Sequence, residues 1–539
     1  MAEHPAHGES PRPRHRPIAQ RSLFALASLV PLVLALGALS TTPAPAPVPV
    51  ERAAAESQPG ASTRWCHGPL ELPEEVLEGG PDSELAVTPP TSSVTLRTVA
   101  VEPASSLLFG TVSGSSTLQE EDGSVRAPSI VVDGADGSAL ADDPASRDLG
   151  VSVVGLEDVE DAPHVTGATS EGGRPVTDSL QSTLTGSGDF RSLSLTRCAE
   201  PTTDATFLGV STESGDSAVL VLRNPTERPA TASVQLWSED GPASMEGRSQ
   251  VVVAPGEEQR VLLESVVPGQ EAVGVGVSVL GSPLTMHVQA TERDGLTPGG
   301  AEILSPLPVV ADELVMPGVD VTEAAPTVVL ANPHGGDTTA SLEVAGPDGP
   351  IQDAAVEGID VPAGTVVRVP VDDLPEGTYS VTVTAEDPIS AVTRSSRAGG
   401  DLPGDTIGTP MDFALTSPAP ALGTHGLTAL PAQGTAGELT LTGTEDSAVT
   451  VIPIAEDGAA GEPLEVEVTA GATTSLSSRQ LEVDGESAAG LTLVPDVPGA
   501  VHASWIQRQS DGSTRSLISS MPVLTDSGGQ ESVTVRRAD

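Results

Sequence analysis

The sequence predicts a mainly β protein, built of tandem immunoglobulin-like β-sandwich domains that follow one N-terminal transmembrane helix. Three observations predict this class: an internal repeat, side chains that alternate between apolar and polar, and regularly spaced turn residues. Residues 218–263 reappear at residues 326–371, displaced by 108 positions without a gap. Solenoid units are shorter, at roughly 20–50 residues. A period near 108 therefore indicates a tandem array of whole domains, which typically have about 100–150 residues.

The repeat preserves turn residues as well as apolar ones. An Asn-Pro pair at Asn224 recurs at Asn332, and the Asp-Gly-Pro sequence beginning at Asp240 recurs at Asp348. Proline lacks the hydrogen-bond donor that a strand interior needs, and Asp-Gly is a common turn sequence. Several short strands with such turns, in a unit of about 100 residues, are typical of a β-sandwich.

Between the turns the hydrophobic period is two. Every second residue of 273–279 is valine, and in 284–290 apolar residues alternate with Thr285, His287 and Gln289. Strict alternation is typical of an antiparallel strand with one face on a core and the other in water. We therefore expect His287 to lie on a solvated face.

The stretch from Leu374 to Val383 resembles the turn-plus-tyrosine strand of immunoglobulin-like bacterial surface domains. Tyr379 in this stretch is predicted to form a tyrosine corner, with its hydroxyl bonded to nearby backbone. The alternative is an ordinary half-buried strand aromatic. The first copy has Glu271 at the aligned position, so this feature is not general to the array.

These signals predict the domain boundaries. A third copy is present in degenerate form, and the region before the first copy is strand-like but shows no register with the repeat. The predicted boundaries are a basic cytoplasmic tail at 1–21, a transmembrane anchor or signal segment at 22–40, a Pro/Ala-rich linker at 41–64, an N-terminal β domain at 65–200, β-sandwich repeat 1 at 205–300, repeat 2 at 313–398, degenerate repeat 3 at 411–526 and a flexible tail at 527–539.

Residues 22–40 are almost wholly apolar and carry no charge. As a helix they would cover roughly 28 Å, about the thickness of a bilayer core. Four arginines precede the segment, so the positive-inside rule predicts a cytoplasmic N-terminus and export of everything after residue 40. A signal peptide cleaved after export is the alternative, although such peptides usually have an apolar region of only about 7–15 residues.

The chain has two cysteines, Cys66 and Cys198, which flank the N-terminal β domain. Because both follow the export segment, an oxidising exterior makes a disulfide the natural interpretation. The alternative is a reactive thiol with His67 beside Cys66, but a nucleophile needs a base positioned in space, which adjacency in sequence does not provide.

The formal net charge is −50, and the first 40 residues contribute four arginines against two acids. The exported part therefore carries −50 − 2 = −52, with 21 scattered arginines and no lysine. This balance argues against nucleic acid, whose binding requires a basic patch. It also argues against adhesion to anionic lipid headgroups.

The sequence has few features typical of a catalytic or metal-binding site. There is no G-x-S-x-G, phosphate-binding loop, dinucleotide fingerprint or H-E-x-x-H sequence. An acidic loop from Asp133 to Asp143 has the oxygen ligands that Ca²⁺ prefers, but without the spacing of an EF-hand loop, which favours a solvated loop. No catalytic residue, metal site or cofactor is assigned. Six dispersed histidines are expected to be solvated: His67, His164, His287, His334, His425 and His502. Three tryptophans could stack on sugars but are more simply core or sheet residues: Trp65, Trp237 and Trp505.

Taken together, these features resemble one known family. The basic tail and apolar segment, the Trp65-Cys66 pair with Cys198 about 130 residues later, and the sequence LVLRNP at 220–225 are similar to the actinobacterial envelope family DUF5719. The resemblance covers most of residues 60–510. It implies an exported protein of unknown function and supplies no catalytic residues.

We therefore expect a non-catalytic envelope protein, single-pass with its bulk outside the cell, that acts as a membrane-anchored stalk or binding scaffold. Its partner would be an unknown envelope protein or a glycan. The alternative is an accessory protein in cell-wall or surface-polysaccharide assembly that contacts sugar or a glycosyltransferase. An exported hydrolase with paired carboxylates is a minor alternative.

Overall fold

The computed structural model describes residues 60–71, 90–114, 118–119, 125–142, 144–147, 149–169, 171, 173–245, 249–322, 324–400, 408–432, 436–510 and 517–525. They all belong to the second of two compact parts of the chain, residues 58–539. The segment at 22–40, the cytoplasmic tail before it, most of the linker and the C-terminal tail at 527–539 lie outside the described residues. No helix among those described is long and apolar enough to cross a membrane.

The described chain is mainly β, as the sequence predicts. It forms seven sheets, and its helices there are three short 3-10 turns at Ser106–Phe109, Gln352–Ala354 and Ser478–Leu481. The strands fall into four groups in chain order, here called the first to fourth units.

The first unit holds two sheets. Their strand orders are β1-β7-β3-β4 and β5-β6-β2-β8-β9. The strands are β1 Ser62–Trp65, β2 Ser93–Val101, β3 Ser129–Asp133, β4 Ala139–Ala141, β5 Ala145–Arg147, β6 Val151–Leu156, β7 His164–Ala168, β8 Val176–Thr185 and β9 Ser192–Arg197.

The second unit also holds two sheets. One has the order β10-β16-β12-β13, with β14 also on β12, and the other has the order β15-β11-β17-β18. The strands are β10 Asp204–Val210, β11 Ser217–Arg223, β12 Ala230–Ser238, β13 Gly241–Ala243, β14 Gln250–Val253, β15 Glu258–Leu262, β16 Val273–Gly281, β17 Thr285–Asp294 and β18 Thr297–Leu304.

In the third unit one long strand, β25, serves both halves of an eight-stranded sheet. Its first part pairs with β19 and β21, and its second part with β20 and β26, so it takes the places of both β16 and β17. The strands are β19 Ala311–Val321, β20 Thr327–Ala331, β21 Thr338–Gly346, β22 Gly349–Pro350, β23 Val356–Val361, β24 Val366–Pro370, β25 Gly377–Ala398 and β26 Met411–Thr416.

The fourth unit has the sheets β30-β29-β32-β27-β35 and β31-β28-β33-β34. The strands are β27 Gly426–Ala429, β28 Ala436–Gly443, β29 Ser447–Ile454, β30 Leu464–Val468, β31 Thr473–Ser477, β32 Gly490–Pro495, β33 Val501–Gln509, β34 Leu517–Pro522 and β35 Leu524–Thr525.

All four units share one order of strand pairing. The opening strands β1, β10, β19 and β27 pair with β7, β16, β25 and β32 in turn. The second strands β2, β11, β20 and β28 each lie between two partners, which are β6 and β8, β15 and β17, β24 and β25, and β31 and β33. The first unit follows this order although its sequence shows no register with the repeat. The boundary predicted at 411 shifts, because β26 pairs with β25 and so belongs to the third unit, and the fourth unit begins at β27.

The repeated sequence motifs have repeated contacts. The side-chain nitrogen of Asn224 donates to the carbonyls of Arg228 and Val253, at 2.7 and 3.1 Å. Asn332 donates to Gly336 and Val361 at 2.8 and 3.0 Å. A buried amide in this position satisfies two backbone acceptors that would otherwise lack donors.

Tyr379 lies at the start of β25. Its ring is buried, and its hydroxyl donates to the carbonyl of Pro375 at 2.9 Å. The predicted bond from this hydroxyl to nearby backbone is therefore present. Two of the tryptophans are core residues: Trp237 packs on the strand glycines Gly274 and Gly276, and Trp505 on Gly437, where a Cβ would collide with the indole.

The units contact one another in a closed cycle, because the last unit returns to the first. Bonded contacts cross each boundary. They are Glu71 to Gln289 between the first and second units, Arg394 to Glu292 between the second and third, Arg508 to Asp320 between the third and fourth, and Ala429 to Asp178 between the fourth and first. The cores of the first and fourth units merge in one cluster that includes Val99 and Leu427.

The edge strands β9, β18, β26 and β34, one from each unit, meet in a buried polar junction. The Glu302 carboxylate accepts the hydroxyls of Ser194 and Ser519 from two other units, the latter at 3.0 Å. Those hydroxyls accept backbone N–H groups in turn, from Ile303 at 3.0 Å and Leu195 at 2.9 Å. Three units therefore share one hydrogen-bonded cluster.

Asp412 holds the other side of the junction. One carboxylate oxygen accepts the backbone N–H of Leu193 at 3.3 Å and of Ile518 at 2.9 Å, which lie in the first and fourth units. The backbone of Gly300 lies so close that a Cβ there would be 2.6 Å from the other oxygen. Burial raises the pKa of Asp412 well above its usual value, although these N–H donors and the charge of Arg191 act to lower it.

Burial also raises the pKa of Glu302 well above its usual value; the serine hydroxyls oppose this effect and neighbouring Asp412 adds to it. The folded state thus holds a proton that the unfolded chain releases near pH 4.5. This contribution to stability is fully present below pH 4.5 and is lost as the pH rises towards the raised pKa.

We predict that Glu302→Gln increases the free energy of unfolding, relative to the wild type, more at pH 8 than at pH 4.5, because the amide has no proton to lose as the pH rises. Urea unfolding at both pH values measures this difference. Glu343→Gln, at an exposed position of β21, is the matched control and should change neither value. A Glu302→Gln variant less stable at pH 8 than at pH 4.5, relative to the wild type, would contradict the assignment.

Cys66 and Cys198 form a disulfide that closes a loop of sequence separation 132. Both sulfurs lie in the core of the first unit with Leu96, Ile130 and Val165. Beside them the backbones of Trp65 and Ala199 exchange two hydrogen bonds, so the two ends of the unit are joined twice.

We predict that the double variant Cys66→Ser/Cys198→Ser loses about 2–5 kcal/mol of stability, since the disulfide restricts the unfolded chain. Thermal unfolding with and without reductant measures the loss. Reductant should destabilise the wild type and leave the variant unchanged. Thiol labelling of denatured, unreduced protein should modify neither cysteine, and labelling of both would refute the pairing.

Candidate functional site

A cleft of about 300 Å³ lies between the first and second units. Small-molecule sites commonly enclose roughly 300–1,000 Å³, so this one is at the small end of that range. Its walls are polar side chains of the second unit and the segment that follows β1 in the first. The lining residues are His67, Pro69, Glu71, Ala135, Asp161, Ala162, Val221, Arg223, Gly256, Glu258, Arg260, His287 and Gln289.

The second unit supplies one wall from the outer face of a single sheet. Val221 of β11 is directly opposite His287 of β17 and Arg260 of β15. Arg223 and Gln289 lie two positions further along their strands, on the same face. The sequence expectation that His287 is solvated was wrong, because the first unit covers this face and buries the imidazole.

The first unit supplies the opposite wall from the segment 67–71, together with Ala135, Asp161 and Ala162. The disulfide fixes Cys66, and the next residues are held by Gln181, whose side chain accepts from Gly68 N–H at 2.9 Å and donates to the Gly68 carbonyl at 2.6 Å. Gly68 has φ +80° and lies against the backbone of Ala162, so a larger residue would be strained there. This turn directs His67 into the contact between the units.

His67 and His287 face each other, with ring centroids 4.4 Å apart and planes tilted by 49°. Burial lowers the pKa of His67 to about 4. Burial also holds the pKa of His287 well below its usual value, with help from His67, Arg260 and Arg223. Both imidazoles are therefore neutral at pH 7. The expectation of a solvated His67 was wrong for the same reason as for His287.

The surroundings of the His67 ring are almost wholly protein. The backbone of Arg197 opposes the effect of burial and raises the pKa of the ring. The Nε2 atom is buried and has no hydrogen-bond partner among the described residues.

Arg260 organises the charges at the cleft. Its guanidinium pairs with Glu258, at 2.9 Å, and with Glu71 of the first unit. Arg223 donates to the carbonyl of Ala162 at 3.4 Å and lies 5.5 Å from the ring centre of Trp65. Two cations thus bridge the units, while Trp65 lies behind Arg223 and outside the lining.

The lining of the cleft combines acidic, basic and amide side chains and contains no hydroxyl or thiol side chain. Glu71 and Glu258 share one guanidinium, and Asp161 is the third carboxylate of the lining. A histidine with a pKa near 4 is a weak base at pH 7.

The other sequence candidates lie apart from this cleft or contribute little to it. Asp133 and Asp136 belong to a hairpin loop in which Asp136 accepts Ser138 N–H at 2.9 Å, and Asp143 lies outside the described residues. Among the residues that the structure describes, no three His, Cys, Asp or Glu side chains are placed to hold a metal ion. His334 is exposed, whereas His502 is largely buried and bonds the Ala419 carbonyl at 2.7 Å.

Two comparisons with known proteins bear on this chain. Residues 153–479 match the family model described as "Family of unknown function (DUF5719)". This match includes β15, β11 and β17 of the cleft and begins after His67 and Glu71. No curated protein matches the chain.

We predict that His67 makes the protein acid-sensitive. Unfolded His67 takes a proton near pH 6.5 while the folded residue resists protonation until about pH 4, so its contribution to stability falls as the pH drops between these values. In His67→Gln the loss of stability between pH 7 and pH 4.5 should be smaller than in the wild type by about 2–3 kcal/mol.

Urea unfolding at pH 7, 5.5 and 4.5 measures how the free energy of unfolding changes with pH. This pH dependence stays the same if the substitution lowers the stability equally at every pH. His334→Gln, at an exposed histidine, is the control and should follow the wild type. Equal slopes for wild type and His67→Gln would show that His67 titrates normally.

Proposed function

The chain belongs to the DUF5719 family of unknown function, and from that premise we propose that it is a non-catalytic envelope protein, a binding scaffold held outside the cytoplasm. Each unit is an immunoglobulin-like β-sandwich. The shared pairing order of its two sheets, and in the third unit the Tyr379 hydroxyl bonded to Pro375, support this assignment.

The location outside the cytoplasm is supported by the disulfide and by the apolar segment at 22–40. Disulfides persist in oxidising compartments, and a preceding cluster of arginines favours a cytoplasmic N-terminus. The segment anchors the protein as a single-pass membrane protein, with the units outside. Secretion after signal cleavage is the alternative.

The cleft between the first and second units is the observation that carries the binding role. A scaffold of this kind needs a preformed polar site on a rigid support, and the cleft walls are fixed by the disulfide, by Gln181 and by the ion pairs of Arg260. The closed cycle of contacts favours a compact scaffold over an extended stalk, because the fourth unit packs on the first.

The second candidate is an accessory role in cell-wall or surface-polysaccharide assembly, with a glycan or a glycosyltransferase as partner. The cleft is small, its lining is polar and its histidines are neutral at pH 7, which favours this accessory role. A nucleic-acid partner is disfavoured by the charge of −50. A hydrolase with paired carboxylates is disfavoured, because two of the three carboxylates that line the cleft, Glu71 and Glu258, are both bound to Arg260.

We predict that an epitope tag at the C-terminus is removed by protease added to intact cells, whereas an N-terminal tag is protected until the cells are lysed. Immunoblotting of both tagged full-length proteins measures this. Protection of the C-terminal tag in intact cells, with cleavage after lysis, would refute export.

Cross-linking of intact membranes followed by mass spectrometry should recover a partner protein or glycan. Recovery of this chain alone would contradict the scaffold role.

A further inference from the structure

The second unit exposes a sheet edge that carries no charge. Its edge strand β14 pairs with β12 on one side, and no described strand pairs with its other side. The carbonyl of Ser249 accepts the N–H of Val234, so every second residue of β14 directs its backbone groups away from β12. Those residues are Gln250 and Val252, and both side chains are exposed, Val252 to 65%. The edge therefore offers two N–H and two C=O groups to a further strand.

The equivalent edges of the third and fourth units carry carboxylates. Asp360 of β23 has the same register on β21 as Val252 has on β12, 108 positions earlier, and it is exposed. On β30 of the fourth unit the two exposed residues are Glu465 and Glu467. Charged side chains on an exposed edge are a common protection against pairing with another chain. Strand β14 lacks this protection.

The spacing of the outward groups on β14 is complementary to itself. About a two-fold axis at Val251, two β14 strands run antiparallel, and Gln250 of each copy lies opposite Val252 of the other. The outward backbone groups then form two hydrogen-bonded pairs, and the sheet continues from one copy into the next. The same arrangement of two β30 strands would place Glu465 opposite Glu467 twice, and like charges directly opposite are destabilising.

The charge of the chain favours a second copy as the occupant of this edge. With a formal net charge of −50, two copies repel each other over most of their surfaces. Salt screens charges beyond roughly 8 Å, so the residues closest to the contact decide the balance. The sequence from Ser249 to Pro255 has no charged residue. A cationic partner, by contrast, would be attracted to the acidic surface elsewhere rather than to this edge.

We propose that β14 is a self-association edge, at which two copies of the chain pair strand to strand. The contact involves the four residues of β14 in each copy, so the dimer is weak, with a Kd of roughly 1–100 µM. The inference goes beyond the proposed envelope role, because it names a second copy of this chain as a partner and does not depend on where the protein is located.

Sedimentation velocity of the purified full-length chain in mild detergent, over about 1–200 µM, measures this association. We expect a reversible monomer–dimer equilibrium. Val252→Asp places a carboxylate where β23 has Asp360, so the unit should still fold, which thermal unfolding checks. The variant should raise the Kd at least about tenfold, because its two carboxylates enter the contact.

Two further variants test the geometry. Leu280→Asp is the matched control, because Leu280 is 76% exposed on the same face but lies two strands from the edge, roughly 10 Å away. It should associate as the wild type does, since salt screens a charge at that distance. Gln250→Arg, added to Val252→Asp, places a guanidinium opposite the introduced carboxylate of the other copy and should restore association.

Four results would overturn the proposal: the wild type is a monomer throughout, Val252→Asp associates as the wild type does, Leu280→Asp weakens association as much as Val252→Asp, or the added Gln250→Arg restores nothing. None of these results alters where external protease cuts the tagged protein on intact cells. A failure of the self-association inference is therefore distinguishable from a failure of the proposed envelope role.

Discussion

The burial of Glu302 and Asp412 where four strands meet is the constraint on which the arrangement of the units depends. Each carboxyl group accepts hydrogen bonds from other units: from serine hydroxyls in the case of Glu302, and from two backbone N–H groups at one oxygen in the case of Asp412. A single sheet pair could not supply these partners, and a buried carboxylate without them would be costly. The junction therefore specifies the association of all four units more than it adds to the stability of any one of them.

Closing the cycle also explains the use of the few cations in this acidic chain. At successive boundaries an arginine bonds a carboxylate of the preceding unit, as in Arg260 with Glu71, Arg394 with Glu292 and Arg508 with Asp320. Arg394 is held by both oxygens of Glu292, each at 2.6 Å. Such pairs contribute little net stability when desolvated, but loss of one partner leaves an uncompensated charge, so they favour one docking geometry. Arginines that are scattered in the sequence are gathered at the boundaries by the fold.

The cleft is a consequence of the same docking. The outer face of sheet β15-β11-β17 would be solvated in an isolated unit, and its polar alternation suits that environment. Covering it with residues 66–71 removes water from His67 and His287 and lowers the pKa of both rings, and it leaves His67 Nε2 without a hydrogen-bond partner among the described residues. The DUF5719 match covers the second-unit wall of this cleft. The cleft thus lies where two structural units meet, which is a common position for ligand sites.

Local structure could be predicted from the sequence: Val273 to Val279 form a strand because their period is two, and Asn224 and Asn332 mark equivalent turns. The pairing of Cys66 and Cys198 follows from simple chemistry, since they are the two cysteines of the chain. Three features became evident only in the folded chain: the first unit shares the pairing order of the repeats, β26 closes the third unit, and His287 is buried against His67. All three depend on residues far apart in sequence, which set the partners of a strand and the covering of a polar face. A period-two pattern fixes which side chains share a face, but not what that face contacts.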